Sequence, residues 1–195
     1  MENKKYLKFL IPLVAVVVII ESVILIGRSS ANKKVVVDNN KPVEVETKVV
    51  DLKLESATNE LKMNGTATVN LLMSMKEKKS LDSLAYYVKY DPTAFEVTNL
   101  KLSDRLPKPT FSKVSTNKSM IVANFMVADQ KGLSLSDKEK LTVMSFDITA
   151  KKTGKFNFEI SSGNEAKESV TMFVENATSK VLPYSSNQLT INVSR

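Results

Sequence analysis

From Val49 onward, apolar and polar residues alternate with period two, the pattern of strands that bury one face and leave the other to solvent. Residues 66–75 set Ala67, Val69, Leu71, Met73 and Met75 on one face and Thr66, Thr68, Asn70 and Ser74 on the other. Phe156, Phe158 and Ile160 alternate with Asn157 and Glu159, and Leu189, Ile191 and Val193 with Gln188, Thr190 and Asn192. The same reading predicts strands at 51–55, 84–90, 95–102, 120–128, 141–150 and 170–174. Between them stand turn formers: Asn64-Gly65, Asp91-Pro92, Lys131-Gly132, Thr153-Gly154 and Ser162-Gly163-Asn164. Nine short strands without a long amphipathic helix predict an all-β fold, a single nine-stranded jelly-roll or β-sandwich over residues 49–195. No internal repeat divides that region.

Ahead of the strands the pattern changes twice. Residues 9–26 are almost unbroken apolar, and at about 1.5 Å per residue a helix there is roughly 27 Å long, close to the thickness of a bilayer core. Lys4, Lys5 and Lys8 precede it, as in the n-region of an export signal. Pro12 sits in the first turn, where it costs little, and Glu21 lies near the outer end, within reach of interfacial water or of a second membrane helix. Ser29-Ser30-Ala31 offers small residues to a signal peptidase, but the apolar run is longer than a cleavable segment normally is. The expected organisation is a cytoplasmic n-region (1–8), a transmembrane signal-anchor helix (9–27), an extended linker (28–48) and a domain outside the cell membrane (49–195).

Composition narrows the chemistry. The 195 residues include no His and no Cys. Triads built on Ser-His or Cys-His are therefore excluded, and zinc and copper sites nearly so. The remaining acids are scattered over turns and strand surfaces, with no long loop to gather a carboxylate pair for glycoside hydrolysis. Asp129, Asp137 and Glu139 share one loop region without the spacing of a calcium-binding EF-hand. No enzyme activity and no cofactor are expected. The net charge is +7, with 20 Lys/Arg and 16 Asp/Glu left in 49–195 once the 8 and 5 of residues 1–48 are removed. That excess is spread over strands and turns, so a solvated lysine-rich surface is expected and no nucleic-acid partner.

The stretch Leu81-Asp82-Ser83-Leu84-Ala85-Tyr86-Tyr87-Val88-Lys89-Tyr90-Asp91-Pro92-Thr93-Ala94-Phe95-Glu96-Val97 resembles the cohesin family, in which a strand ends in Tyr-Asp-Pro and the next opens with an apolar-Glu-apolar run. Residues 120–132, 141–160 and 188–193 resemble later strands and turns of the same family, so that the likeness spans 49–195. The physics of the corner stands beside the name. Pro92 donates no hydrogen bond and must end the strand; Asp91 accepts bonds from turn amides, and Tyr90 shares the core phase of Leu84, Tyr86 and Val88.

The resemblance implies a receptor that binds the calcium-loaded dockerin module of another protein through one sheet face, the calcium being carried by the partner. It places that face on Ser83, Ala85, Tyr87 and Lys89 of one strand and on Asn124, Met126, Ala128 and Asp129 of another. Tyr and Met suit an interface because each gives a large contact area. Where well-known cohesins carry an Asn and an Asp before Tyr-Asp-Pro, this chain has Ser83 and Ala85. The expected function is therefore a cell-surface receptor recruiting carbohydrate-active or adhesive proteins. Two alternatives stand beside it: direct polysaccharide binding, which the lack of Trp disfavours, and a structural envelope subunit associating through Glu21 or a sheet edge.

Overall fold

A computed structural model describes residues 48–135, 139–162, 170–176 and 178–195. The n-region, anchor and most of the linker expected from the sequence lie outside the described residues; among those described, no helix is long and apolar enough to cross a membrane. Among the described residues thirteen strands run in chain order: β1 Val50–Ser56, β2 Glu60–Lys62, β3 Thr66–Met75, β4 Lys79–Lys89, β5 Phe95–Leu102, β6 Pro109–Ser115, β7 Met120–Met126, β8 Leu133–Leu135, β9 Leu141–Ala150, β10 Gly154–Ile160, β11 Met172–Glu175, β12 Tyr184–Ser186 and β13 Leu189–Ser194. They form a five-stranded sheet, β12-β1-β3-β9-β5, and an eight-stranded one, β2-β13-β10-β4-β7-β6, in which β11 and β8 also pair with β4.

The expectation of nine strands is corrected to thirteen. The additional ones are β2, β6, β8 and β12. Three of them have three residues each, too few to show a period. The fourth, β6, is an edge strand with little apolar alternation.

Alternating positions meet between the sheets. Val69, Leu71, Met73 and Met75 of β3 face Leu84, Tyr86 and Val88 of β4, Phe158 of β10, and Ile191 of β13 in one core, all buried. Tyr86 spans the layers: its ring packs edge-on against Phe125 and Phe173, at 6.1 and 5.4 Å between centroids. Its hydroxyl donates to Met73 Sδ of the opposite sheet at 3.1 Å. Burial raises its pKa well above that of free tyrosine. This core fixes the phase of β4, and hence sends Ser83, Ala85, Tyr87 and Lys89 to the other side of the sheet.

The ends of β4 are set by local chemistry. At the Tyr90-Asp91-Pro92 corner Asp91 Oδ1 accepts from Thr93 N at 2.8 Å and from Thr93 Oγ1 at 2.7 Å. Those bonds hold its carboxyl below the usual carboxylate range. Tyr90 is buried and stacked on Phe158.

Both neighbours of β4 are interrupted strands. β10 pairs at Lys89 and Val88, and β11 pairs with the same strand in the same direction from Ala85. In the gap, Ser161 N donates to Tyr87 O at 2.8 Å and Tyr87 N donates to Thr171 Oγ1 at 3.0 Å. The backbone of Tyr87 is thus held by a side chain where a ladder bond would otherwise stand.

Candidate docking face

The eight-stranded sheet turns its outward side to solvent, and the register lines up one row after another. Met172 of β11 pairs with Ala85 of β4, Ala85 with Asn124 of β7, and Asn124 with Phe111 of β6. The next row toward the Tyr-Asp-Pro corner joins Tyr87, Val122 and Lys113, and the row beyond it Lys89, Met120 and Ser115. On the other side Val174, Ser83 and Met126 form a row. Paired residues in an antiparallel ladder point to one side, so these side chains share a surface.

That surface carries exposed apolar side chains among its polar ones. Among the described residues five large apolar side chains are exposed; three of them, Phe111 at 51%, Met126 at 66% and Met172 at 38%, stand here. Val122 lies almost covered between its neighbours. Scattered single apolar residues need no explanation, but a contiguous patch marks an interaction site.

A hollow of about 340 Å³ opens on the β6 side, lined by Tyr87, Phe111, Lys113, Lys118, Met120 and Val122 among others. Asn124 also borders it and donates through Nδ2 to the Tyr87 hydroxyl at 3.3 Å. Its backbone carbonyl accepts from Thr110 Oγ1 at 3.1 Å. Its Oδ1 is shielded from solvent and has no partner among the described residues. The two ends of a side-chain amide are assigned from such bonds; with either assignment, one end of Asn124 is left unpaired, at a cost of about 1–3 kcal/mol.

Six of the eight residues expected at the site therefore stand together: Ser83, Ala85, Tyr87, Lys89, Asn124 and Met126, all but Met126 half-buried. Ala128 and Asp129 do not share the strand. β7 ends at Met126; Val127 N still donates to Asp82 O at 2.8 Å as the last rung of the ladder, and the chain then turns away before rejoining β4 as β8. Asp129 caps its own turn, its Oδ1 accepting from Lys131 N at 3.0 Å and its carbonyl from Gly132 N at 2.9 Å. Gly132 has φ +68° there, and a Cβ would come within 3.0 Å of Asn176 and the Leu81 carbonyl. Ala128 and Asp129 are exposed at the margin of the face, in a loop.

The sequence reading missed the contribution of β6 and β11, which supply Phe111, Lys113 and Met172. For β6 the signal was faint: Pro109 at its start is a mark of edge strands, and Phe111, Lys113 and Ser115 share one phase. Nothing local says that this phase joins the outward side of β7.

The acids present no metal site; among the described residues, no group of three His, Cys, Asp or Glu is placed to hold a cation. Glu139 is paired with Arg105, and Asp137 lies outside the described residues.

Comparison with known proteins gives a fold. No family model matches the chain, and no curated protein does. Among solved structures it is similar to a type I cohesin–dockerin complex from Clostridium thermocellum, with TM-score 0.59 and 15% identity over 79% of this chain and 99% of that one. A cohesin of Acetivibrio cellulolyticus, solved with a dockerin, aligns at TM-score 0.60 and 13% identity, over 75% and 99%. The cohesin module of a family 33 glycoside hydrolase from Clostridium perfringens aligns at 0.56 and 10%, over 76% and 98%. The chain has the cohesin fold, as its Tyr-Asp-Pro corner and strand series suggested.

Proposed function

We propose that this protein is a non-enzymatic receptor whose outward β4–β7 face docks a dockerin-type module of another protein. The observation that carries the reading is the exposed apolar patch of Phe111, Met126 and Met172 around Tyr87, on a fold shared with cohesins that were solved in dockerin complexes. Tyr87 is held from both sides, by its backbone bonds to Ser161 and Thr171 and by the Asn124 amide. A pre-positioned aromatic loses little entropy on binding.

The apolar segment over 9–27 and its preceding lysines support tethering in the cell membrane with the sandwich outside. A receptor so placed recruits carbohydrate-active or adhesive proteins to the cell surface. The calcium of the complex belongs to the docked module.

The test is a pull-down of dockerin-bearing proteins with the full-length chain, with and without a chelator. Retention in calcium and release by chelator is the expected result. If no dockerin-bearing protein is retained under either condition, the reading fails.

A further inference from the structure

At the β6 edge of the docking face the charges are of one sign. The outward positions of β6 and β7 carry Lys113 and no carboxylate; Glu159 stands beyond β4, on β10, paired with Lys89 in the ladder. Lys118, in the turn between β6 and β7, joins Lys113 on the rim of the hollow. Neither Lys113 nor Lys118 is paired with a carboxylate among the described residues. The acids nearest the face lie away from this edge: Asp82 on β4, bonded to Asn176, Asp129 in the turn before β8, and Glu159 on β10. Two cations thus border an apolar floor of Tyr87, Phe111, Met120 and Val122.

We infer that the docked module presents an apolar ridge bordered by carboxylates, which meet Lys113 and Lys118 at the β6 edge. The inference rests on the docking reading and names the chemistry of the partner. Water leaves the hollow as the ridge enters it, and charges opposed across the rim attract more strongly there than in bulk water. A basic ridge meets repulsion and strips two ammonium groups of water without compensation. Ser83 and Ala85 carry no charge and Lys89 stands opposite Glu159, so the β6 edge is where charge selects the partner. A glycan fits less well. It needs a planar aromatic platform, whereas half of this floor is Met120 and Val122, which offer no ring to stack on, and the Tyr87 hydroxyl is already bonded to Asn124.

The experiment uses the full-length chain in detergent to select from a displayed library. The library is built on a dockerin module, with the helix positions flanking its apolar stripe randomised. Asp and Glu are expected to be enriched at those positions. With the selected binders, Lys113→Glu with Lys118→Glu lowers the association rate at low salt by about tenfold or more, leaves thermal melting unchanged, and turns the same selection toward Lys and Arg. Binders that are lost on Tyr87→Ala yet show no acidic bias overturn the charge inference and leave docking intact. A library that gives no binder, or binders indifferent to Tyr87→Ala, overturns the docking reading and the inference with it. Retention of a polyanionic glycan, lost in the double lysine variant, together with no acidic bias in the library, overturns the protein ridge in favour of an anionic polysaccharide.

Discussion

The two outer faces of the sandwich arise from the same alternation and end in opposite states. The five-stranded sheet shows solvent a polar lattice. Thr68, Asp147 and Thr98 form one row across β3, β9 and β5, and Thr66, Thr149 and Glu96 the next. Its polar groups satisfy one another: Asp147 accepts from Thr68 Oγ1 at 2.7 Å and from Asn99 Nδ2 at 2.8 Å. The eight-stranded sheet instead keeps Phe111, Met126 and Met172 in water and leaves one end of the Asn124 amide unpaired. Burying apolar surface stabilises by about 25 cal/mol per Å². The first face gains little from a partner, and the second has apolar area still to bury. The two sides of one fold thus differ in the apolar area they leave to bury, a difference that the strands alone do not reveal.

The sharpest way to break that comparison is to strip both faces. Tyr87→Ala combined with Met126→Ala is expected to weaken partner binding by about 2 kcal/mol or more, read by calorimetry. Thr68→Ala with Thr149→Ala leaves binding unchanged; equal losses from the two pairs would erase the distinction. A smaller effect is expected from Thr171→Val, which removes the acceptor for Tyr87 N. It lowers folding stability by about 1 kcal/mol in denaturant titration and loosens the Tyr87 backbone, so that partner dissociation quickens. Undiminished stability would mean that the backbone finds another acceptor.

The weakest expected effect is on the polar face. Hydrogen bonds from Thr68 first, and then from Asn99, hold the Asp147 carboxyl below its ordinary value. A carboxyl depressed in the folded state binds its proton less readily there than in the unfolded chain. Its contribution to stability is present above the unfolded value of about 3.9 and is lost as pH falls through the folded one. Melting temperatures below about pH 4 should therefore fall less steeply for Asp147→Asn than for the native chain, with binding at neutral pH unaffected. Asp147 stands at the surface, only partly covered by its neighbours, so the effect is small.

The strands were legible wherever a run was long enough to show its period. The buried phase of β3, β10 and β13, the Tyr90-Asp91-Pro92 corner and the inward placing of Tyr90 stand as the alternation required. The end of β7 was not legible. Val127 and Ala128 continue an apolar run in the sequence, but the Val127 N–Asp82 O bond is the last rung of the β4–β7 ladder, and the turn at Asp129–Gly132 follows at once. Nor did the short strands announce themselves, because a three-residue element is held by the ladder it joins and not by its own pattern.

What the sequence determined by itself is the local part. Period two puts neighbouring Cβ atoms on opposite sides of a strand whatever its surroundings, so the two phases of β4, and the membership of Tyr87 in the outward one, were readable from residues 81–92 alone. What only the tertiary structure decided is which phases stand side by side. Phe111, Asn124, Ala85 and Met172 come from four strands spread over residues 79–175, and they share a row because of register and sheet order. Those follow from the packing of the common core and from where strands break, which no local period encodes.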